Sequence, residues 1–332
     1  MPEVSIVVPA YNEARNLPLL YDRLKETMEA EHLDWEWIVV DDHSTDESFA
    51  VMSSIAARDP RVRAIRLARN YLSHTAITCG LHHCRGACAV VLAADLQDPP
   101  ELIPKLLEPW RRGTKVVWAA RRRRLGERAT RVFVSNMFYF VMRRFVGMKG
   151  MPARGADFFL VDRQVIEGFR QFSESNVNIL GLITWMGFKQ ETITYDKQAR
   201  LYGRSAFNLE KNLKLALDAI TSFTHVPIRL MSYLGFIVAL GGFGFAGWVI
   251  VERLTGIDRP PGFATLLIAV LIIGGVQMLM MGVLGEYIWR ALDESRRRPR
   301  FIIEATTWSE ATPPTNPSTP VVGSVSNTDT PI

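Results

Sequence analysis

Short apolar runs alternate with helical patterns in the first third of the chain. The runs end at or near proline or charged residues, a pattern that is typical of buried strands. Apolar residues at helical spacing predict helices from Leu17 to about Ala30 and from about His74 to Cys84. Strands that alternate with helices predict an α/β domain with a doubly wound, mostly parallel sheet. The predicted strands are Val4–Val8, Trp35–Val40, Val62–Leu67, Ala87–Leu92 and Val116–Ala119.

Polar clusters follow the first, second and fourth of these strands. Residues 9–13 read Pro-Ala-Tyr-Asn-Glu, residues 41–46 read Asp-Asp-His-Ser-Thr-Asp, and residues 95–101 read Asp-Leu-Gln-Asp-Pro-Pro-Glu. The carboxyl ends of parallel strands share one edge of a sheet, and ligands of open α/β sheets bind at that edge. Carboxylate and amide oxygens there suit Mg²⁺ or Mn²⁺ holding a diphosphate. The spacing alone fits a solvated acidic loop after the fourth strand equally well.

Two of these clusters also carry signals for the start of a helix. Ser44 or Thr45 is expected to cap the helix after the second strand, because a hydroxyl accepts a hydrogen bond from the first helical turn. Pro99 and Pro100 stop the fourth strand and are expected to open another helix.

The composition indicates a folded chain with basic character. Hydrophobic residues make up 48% and charged residues 22% of the 332 residues, with a formal net charge of +5 and a pI of about 9.2. This balance suits anionic lipid or phosphate-bearing ligands, and no zinc-finger or RNA-binding signature favours nucleic acid. Three cysteines are too few for a secreted disulfide framework, and their spacing fits no zinc template, so we expect buried thiols at Cys79, Cys84 and Cys88.

Two long uncharged segments predict a membrane anchor. Leu230 to Val251 and Pro260 to Gly285 contain no charged residue, and a bilayer core needs about 20 apolar residues in a helix. Arg296 to Arg298 follow, and the N-terminus lacks a signal-peptide pattern, so the positive-inside rule places both chain ends in the cytosol. Before the spans, residues 208–223 predict an amphipathic helix that either packs on the domain or lies in the membrane interface. From about Ala305 the tail is predicted to be disordered.

Two features between the sheet and the anchor are candidates for chemistry. Arg121 to Arg124, followed by Arg131, form a basic run that either grips phosphate or faces lipid headgroups. A helix is predicted from about Val132 to Phe145. Asp157 stands in a loop that enters an apolar strand, where it either serves the site or caps a turn.

These motifs, with two further ones, resemble the family 2 glycosyltransferases. The further motifs are Ile-Thr-Ser-Phe at residues 220–223 and Gly-Val-Leu-Gly-Glu-Tyr-Ile at residues 282–288. More closely, the chain is similar to the polyprenyl-phosphate glycosyltransferases, a group with dolichol-phosphate mannosyltransferase, bactoprenol glucosyltransferases and aminoarabinose transferases. The resemblance runs from about residue 3 to about residue 303, and the order of the motifs before two spans makes it specific.

The resemblance implies a GT-A fold, in which residues 1–207 form a Rossmann-like nucleotide-diphosphosugar domain. Residues 208–226 would form the amphipathic helix, residues 227–290 two transmembrane helices, and residues 291–332 a cytosolic tail. It implies an inverting enzyme that moves one sugar from a nucleotide-sugar, UDP-glucose by default, to a polyprenyl phosphate at the cytosolic face of a bacterial-type membrane. It also implies Mg²⁺ or Mn²⁺ and a homo-oligomer, by resemblance a tetramer.

The same resemblance assigns site residues through their motifs. The residues expected to hold the nucleoside are Pro9, Tyr11, Glu13 and Asp42. Those expected to hold the metal and the diphosphate are Asp95 and Gln97. Those expected to contact phosphate, including the lipid phosphate, are Arg121, Arg131, Arg200 and Arg204. Those expected at the reaction centre are Asp95 and Asp157.

The chain departs from the family pattern at several charged positions. Ala93 stands where the family often has the first carboxylate of Asp-x-Asp, and Ala206 stands where Gly-x-Ser-Lys has its lysine, although Arg204 is near. Phe159 replaces a common arginine, and residues 69–74 lack a common Gly-Lys. These losses suggest an altered donor or acceptor, or reduced activity.

Two other functions fit parts of the sequence. A processive membrane synthase shares the nucleotide domain but carries Gln-x-x-Arg-Trp, and this chain has no Arg-Trp dipeptide. A non-catalytic, membrane-anchored binding or scaffold protein is favoured by Ala93 and Ala206. For the enzyme, the acceptor phosphate is already ionised at pH 7, so we expect no catalytic histidine or serine triad. Asp157 would orient groups near the anomeric carbon or a second metal contact and would not act as an essential base.

Overall fold

An eight-stranded mixed sheet forms the centre of the protein. The structure, a computed structural model, describes residues 2–121, 157–172, 179–195, 226–255, 262–296 and 298–308. Along the sheet the strand order is β7-β5-β6-β4-β1-β2-β3-β8. The strands are β1 (Val4–Ala10), β2 (Trp35–Asp41), β3 (Val62–Leu67), β4 (Cys88–Val91), β5 (Val116–Arg121), β6 (Phe158–Asp162), β7 (Gln190–Tyr195) and β8 (Ile303–Thr306).

The five strands predicted from apolar runs are all present, but the sheet is mixed. Strands β4, β1, β2 and β3 are parallel neighbours, as predicted. Strand β6 enters between β4 and β5 and runs antiparallel to both, and β8 runs antiparallel to β3. The apolar runs indicate burial on both faces but carry no information on strand direction, so the sequence does not predict this insertion.

Helices cover both faces of the sheet and bury two apolar cores. Successive residues of β1 alternate between these cores, with Ile6 and Val8 on one side and Val7 on the other, as the two-residue period of a strand requires. Each fully buried aliphatic side chain contributes about 1.5–3 kcal/mol. The helices of the domain are α1 (Asn16–Ala30), α2 (Ser48–Ala56), α3 (Ser73–His83), α4 (Ile103–Arg111), α5 (Arg163–Arg170) and α6 (Ile179–Trp185).

The helix starts after β2 and β4 agree only in part with prediction. Pro100 opens a 3₁₀ turn, Pro100–Leu102, which leads into α4 as expected. The expected cap by Ser44 or Thr45 is wrong, because α2 begins only at Ser48. Asp46 accepts hydrogen bonds from the backbone N–H and the hydroxyl of Ser48, so a carboxylate satisfies this turn while Ser44 is used elsewhere.

The three cysteines are buried free thiols, as predicted. Cys79 lies in α3, Cys84 follows it, and Cys88 begins β4. Burial raises the pKa of Cys84 to about 11, so the thiolate, which is the reactive form, is not populated at neutral pH.

Two long helices follow the domain, α7 (Val226–Leu254) and α8 (Phe263–Ser295), and they pack against each other. Among the described residues, Ile272–Ser295 is long and apolar enough to cross a membrane, and Met231–Phe245 is a shorter apolar helix. The tail is ordered beyond the predicted limit at Ala305, because residues 303–306 form β8 on the edge of the sheet. The predicted helices at residues 132–145 and 208–223 lie outside the described residues.

Gly80 sets how closely α3 approaches the sheet. A Cβ at this position would lie 2.3 Å from Cγ1 of Val7 and 3.5 Å from Cγ2 of Val40. Both neighbours are β-branched residues of buried strands and have little freedom to move.

We predict that Gly80→Ala destabilises the domain by about 1–3 kcal/mol, because the added methyl overpacks this contact. Thermal unfolding of the purified protein in detergent, followed by tryptophan fluorescence, measures the effect. Gly262→Ala adds the same methyl where no atom lies within 4 Å and is expected to leave the midpoint nearly unchanged. Equal midpoints for the two variants would contradict the prediction.

Candidate functional site

The polar clusters after β1, β2 and β4 meet at one edge of the sheet, as the sequence predicts. Strand β1 pairs with β2 on one side and with β4 on the other, all in parallel. Pro9 is half-buried within β1, Tyr11 is 44% exposed, and Glu13 is half-buried. The edge therefore presents one accessible aromatic ring beside several carboxylates.

Hydrogen bonds join the loop after β1 to the loop after β2. The Asn12 N–H donates to Oγ of Ser44 (2.9 Å), and the Thr45 N–H donates to Oδ1 of Asn12 (2.8 Å). The Ser44 N–H in turn donates to Oδ1 of Asp41 (3.0 Å), whose side chain is fully buried. Both loops thus hold each other in place, and Ser44 and Asn12 act as partners that sequence reasoning did not assign.

Asp42 is a buried carboxylate at the same edge. It is 3% exposed, and its Oδ1 accepts the Tyr71 N–H at 2.7 Å. Burial raises its pKa from an ordinary 3.8 to about 6, against the hydrogen bonds from the Tyr71 and Leu72 backbones, which lower it. At neutral pH the Asp42 carboxylate is therefore charged although burial disfavours its charged form.

Asp95 and Gln97 follow β4 in a tight turn. Asp95 is 6% exposed, and its Oδ1 accepts the Gln97 N–H at 3.1 Å. Asp98 is fully buried, and the Tyr195 hydroxyl at the end of β7 donates to its Oδ1. Asp98 thus anchors the loop to β7 through one oxygen, while Asp95 is the carboxylate nearest in sequence to the departure at Ala93.

The donor set at this loop fits a divalent cation that also binds a substrate diphosphate. Mg²⁺ is commonly held by one or two carboxylates, with phosphate oxygens and water completing its shell. Asp95 supplies one such carboxylate, and the Gln97 amide supplies a neutral oxygen. Among the described ranges, no group of three or more His, Cys, Asp and Glu side chains is placed to hold a metal.

Asp157 comes to the same edge through the antiparallel insertion of β6. Phe159 pairs with Val91 of β4 and with Trp118 of β5, so Asp157, two residues earlier and exposed, lies beyond the carboxyl end of β4 and level with Ala120, near the end of β5. His74 at the start of α3 is close enough for its pKa to be affected by this charge. Burial lowers the pKa of His74, and Asp157 opposes the change.

The protonation of His74 follows from its hydrogen bond. The Ile179 N–H donates to Nδ1 of His74 (3.4 Å), so Nδ1 is an acceptor and the ring proton is on Nε2. A neutral imidazole thus stands beside Asp157, a neighbour that the sequence did not single out.

The basic residues assigned from the resemblance are described only in part. Arg121 is the last residue of β5, and its backbone is paired with Tyr195 of β7. This places its Cα at the functional edge. Arg131, Arg200 and Arg204 lie outside the described residues.

Backbone strain concentrates at this edge. Five non-glycine residues of the described ranges have left-handed φ values, and only His32 lies elsewhere. Leu72, with φ 71° and ψ 163°, occupies a region that is essentially restricted to glycine. Such strain persists where surrounding contacts fix it, commonly at functional sites. The four strained residues at the edge are Asn12, His43, Leu72 and Leu96.

Two known families match successive parts of the chain. Residues 5–169 match the family described as Glycosyl transferase family 2. Residues 226–291 match the family described as GtrB C-terminal hairpin. The second match covers α7 and most of α8.

Relatives match almost the whole chain. The uncharacterized glycosyltransferase YkcC of Bacillus subtilis (strain 168) is 37% identical over 302 residues, which cover 91% of this chain and 93% of the relative. The bactoprenol glucosyl transferase of Shigella phage SfV is 33% identical over 302 residues, 91% and 98% of the two chains. Among solved structures, mannosyltransferase PcManGT from Pyrobaculum calidifontis, in complex with GDP-Man and Mn²⁺, is 17% identical with a TM-score of 0.46, covering 87% of each chain.

The raised pKa of Asp42 predicts a pH-dependent stability. The folded state retains a proton that the unfolded state has lost between about pH 4 and pH 6, so stability falls as the pH rises through this window. Asp42→Asn removes the titration, and its stability relative to wild type should rise by about 1–3 kcal/mol between pH 4 and pH 7.

Thermal unfolding at a series of pH values, without nucleotide and with EDTA, measures this difference. Taking wild type minus variant at each pH cancels the other titrating groups. A difference that does not change with pH would refute the shift.

Proposed function

Because this chain belongs to glycosyl transferase family 2, we propose that it transfers one sugar from a nucleotide-sugar to a polyprenyl phosphate at the cytosolic face of a membrane. The observation that carries the proposal is the order of the two family matches, a family 2 domain followed by a GtrB C-terminal hairpin. The near full-length likeness to a protein named bactoprenol glucosyl transferase supports a lipid acceptor of this class.

The donor is proposed to be UDP-glucose, in line with the glucosyl transferase names of several relatives. The nucleoside would lie along Pro9, Tyr11 and Glu13, with Asp42 below it. The exposed Tyr11 ring offers a stacking surface, and a carboxylate accepts hydrogen bonds from a base or a ribose. The loop-to-loop hydrogen bonds of Asn12 and Ser44 would keep these groups in position.

The diphosphate of the donor is proposed to lie at Asp95 and Gln97. A bound Mg²⁺ or Mn²⁺ would neutralise the charge that develops on the departing diphosphate. Asp95 and Gln97 would hold the cation and thereby orient the donor. With Ala93 in place of a second carboxylate, Asp95 carries more of this task than in a site with two acids.

The reaction needs little proton transfer. An oxygen of the lipid phosphate, ionised at pH 7, attacks the anomeric carbon, and the bond from that carbon to the nucleoside diphosphate breaks on the opposite face, which inverts the configuration. Positioning and charge neutralisation supply most of the rate. Asp157, beside neutral His74, is proposed to orient groups at the anomeric carbon and not to act as an essential base.

Two anions must be brought together, and arginines are suited to this task. Arg121 and Arg131 are proposed to contact the donor phosphates, and Arg200 with Arg204 the lipid phosphate, since guanidinium groups pair with phosphate oxygens. Arg204 would take the place of the lysine that Ala206 replaces.

Helices α7 and α8 are proposed to form a two-span hairpin with both chain ends in the cytosol. The uncharged stretches within them, and the basic residues after α8, support this orientation. The close approach of Gly235 to Met280, 3.1 Å from the position of an added Cβ, supports tight pairing of the helices. A homo-tetramer remains a prediction from resemblance.

A scaffold that binds a nucleotide-sugar without turning it over is the second candidate. The missing acid at Ala93 favours it, because one carboxylate holds a cation more weakly than two.

Asp95→Ala is predicted to lower sugar transfer by 100-fold or more, since removing a key electrostatic group commonly costs about 10²–10³ in rate. The measurement is transfer of radiolabelled sugar from UDP-glucose and other UDP-sugars to undecaprenyl phosphate in membranes. Asp34→Ala serves as control, because Asp34 is exposed and lies before the amino-terminal end of β2, away from the loops of the candidate site. Absent transfer in wild type across the donor panel would favour the scaffold, whereas equal transfer in wild type and Asp95→Ala would remove Asp95 from the catalytic site.

The topology predicts opposite accessibility for two single cysteines. Thr255→Cys in the loop after α7 should react with a membrane-impermeant maleimide on intact cells, and Arg298→Cys should react only after permeabilisation. The native cysteines are buried and need no replacement. Labelling of both positions from outside, or of neither, would rule out the two-span hairpin in this orientation.

A further inference from the structure

The chain returns to the sheet after the membrane hairpin. We call residues 300–308 the C-terminal strap; it contains β8, which pairs with β3. The Ala68 N–H donates to the Ile302 carbonyl (2.9 Å), and the Thr307 N–H donates to the Ala64 carbonyl (3.1 Å). Backbone pairing with the strap thus extends from Ala64 to Ala68 along the edge of β3.

Aromatic residues fix both ends of the C-terminal strap. The Phe301 ring packs against the rings of His82 and His83 at 6.0 and 6.4 Å between centroids. The guanidinium of Arg63 lies 4.1 Å from the centroid of the Trp308 ring, a cation–π contact. These contacts hold the strap independently of its middle residue, Glu304.

A β-bulge turns Glu304 toward the edge of the sheet where the loops after β1 and β2 meet. Arg66 pairs with Ala305 and Leu67 with Ile303, so Glu304 is the extra residue, and bulges commonly redirect a side chain. Its Oε2 lies 3.0 Å from Nε of Arg66 and 3.3 Å from Nδ1 of His43.

Arg66 connects this exposed carboxylate to a buried one. Its NH1 lies 3.4 Å from Oδ2 of Asp41, which is fully buried and accepts no hydrogen bond from the described residues. A buried carboxylate without a compensating charge is costly, so the placement of the Arg66 guanidinium matters to Asp41. Glu304 fixes the other side of that guanidinium.

The position of Asp41 affects the loop after β1 through Ser44. Its Oδ1 accepts the Ser44 N–H, and Oγ of Ser44 accepts the Asn12 N–H. His43 is held at φ 61° with Nδ1 3.1 Å from the Leu67 carbonyl. Since Nδ1 faces two acceptors, this carbonyl and Glu304, it carries the ring proton.

We propose that Glu304 is a positioning residue for the donor site, acting through Arg66, Asp41 and Ser44 on the loop at residues 11–13. The C-terminal strap thereby ties the nucleoside-binding loops to the segment that leaves the membrane hairpin. The proposal rests on the proposed function only in identifying the ligand of this loop as a nucleoside diphosphate. The chain of contacts itself is independent of that ligand.

The first test uses the nucleotide-free, full-length protein in detergent. Glu304→Gln keeps the shape of the side chain and removes its charge. Hydrogen exchange at the Asn12 and Thr45 amides, followed by mass spectrometry, should become roughly 3- to 10-fold faster. Unchanged exchange at both amides would overturn the positioning role.

The second test measures binding of UDP in the presence of Mg²⁺ by calorimetry, together with steady-state transfer. Glu304→Gln should weaken UDP binding and raise KM for the donor by roughly 3- to 10-fold, with kcat and KM for undecaprenyl phosphate nearly unchanged. Glu304→Gln introduced into an Arg66→Gln variant should add little, because without the Arg66 guanidinium Glu304 no longer acts on Asp41.

Glu191→Gln is the matched control. Glu191 lies on β7, the outermost strand on the side of the sheet away from β8. It pairs with Arg112 at 3.2 Å and is exposed to a similar degree as Glu304. Glu191→Gln should change neither exchange at the Asn12 amide nor UDP binding, and a similar change in both variants would reduce the role of Glu304 to general stability.

A wild type that binds no nucleoside diphosphate would refute the proposed function, whereas equal binding by wild type and Glu304→Gln refutes the positioning role.

Discussion

The parallel pairing of β1 between β2 and β4 is the constraint on which the site depends. It brings three polar loops side by side, although they are far apart in sequence, and their backbone amides need partners there. The loops after β1 and β2 supply one another, since Ser44 accepts from the Asn12 N–H and Asn12 accepts from the Thr45 N–H, while Asp42 accepts from the Tyr71 N–H in the loop after β3. The same contacts that close the backbone hydrogen bonds thus fix the Asn12, Ser44 and Asp42 side chains at this edge.

Several carboxylates at this edge of the sheet are buried, which costs free energy of folding when they are charged. Asp41 and Asp42 are adjacent buried carboxylates, and the pKa of Asp42 is raised to about 6, mainly by burial. Asp98, a third buried acid, is tied to Tyr195. One of the two acids in the loop after β4, Asp98, thus anchors this loop to β7, and the other, Asp95, accepts the Gln97 N–H within the loop.

The elements that the sequence predicts are those with continuous apolar runs. Strands β1 to β5 lie in the buried part of the sheet, and their residues record burial on both faces. Strands β7 and β8 were missed, because they lie at the edges of the sheet and their side chains are half-exposed. The motifs located the loops of the site, and the family match supports the GT-A architecture expected from them. Contacts made by distant residues, such as Glu304 with Arg66 or Tyr195 with Asp98, leave no trace in local sequence and depend on the tertiary fold.

The position of β8 at the end of the chain has a consequence for biosynthesis. The hydrogen bond between Thr307 and Ala64 spans 243 residues, and both long helices lie between its partners. A chain that emerges from the ribosome N-terminus first has formed β3 long before β8 exists. The outer edge of β3, a row of unpaired backbone groups that invites pairing with other chains, stays open until translation has passed the hairpin. The sheet can therefore be completed only after both long helices have been synthesised.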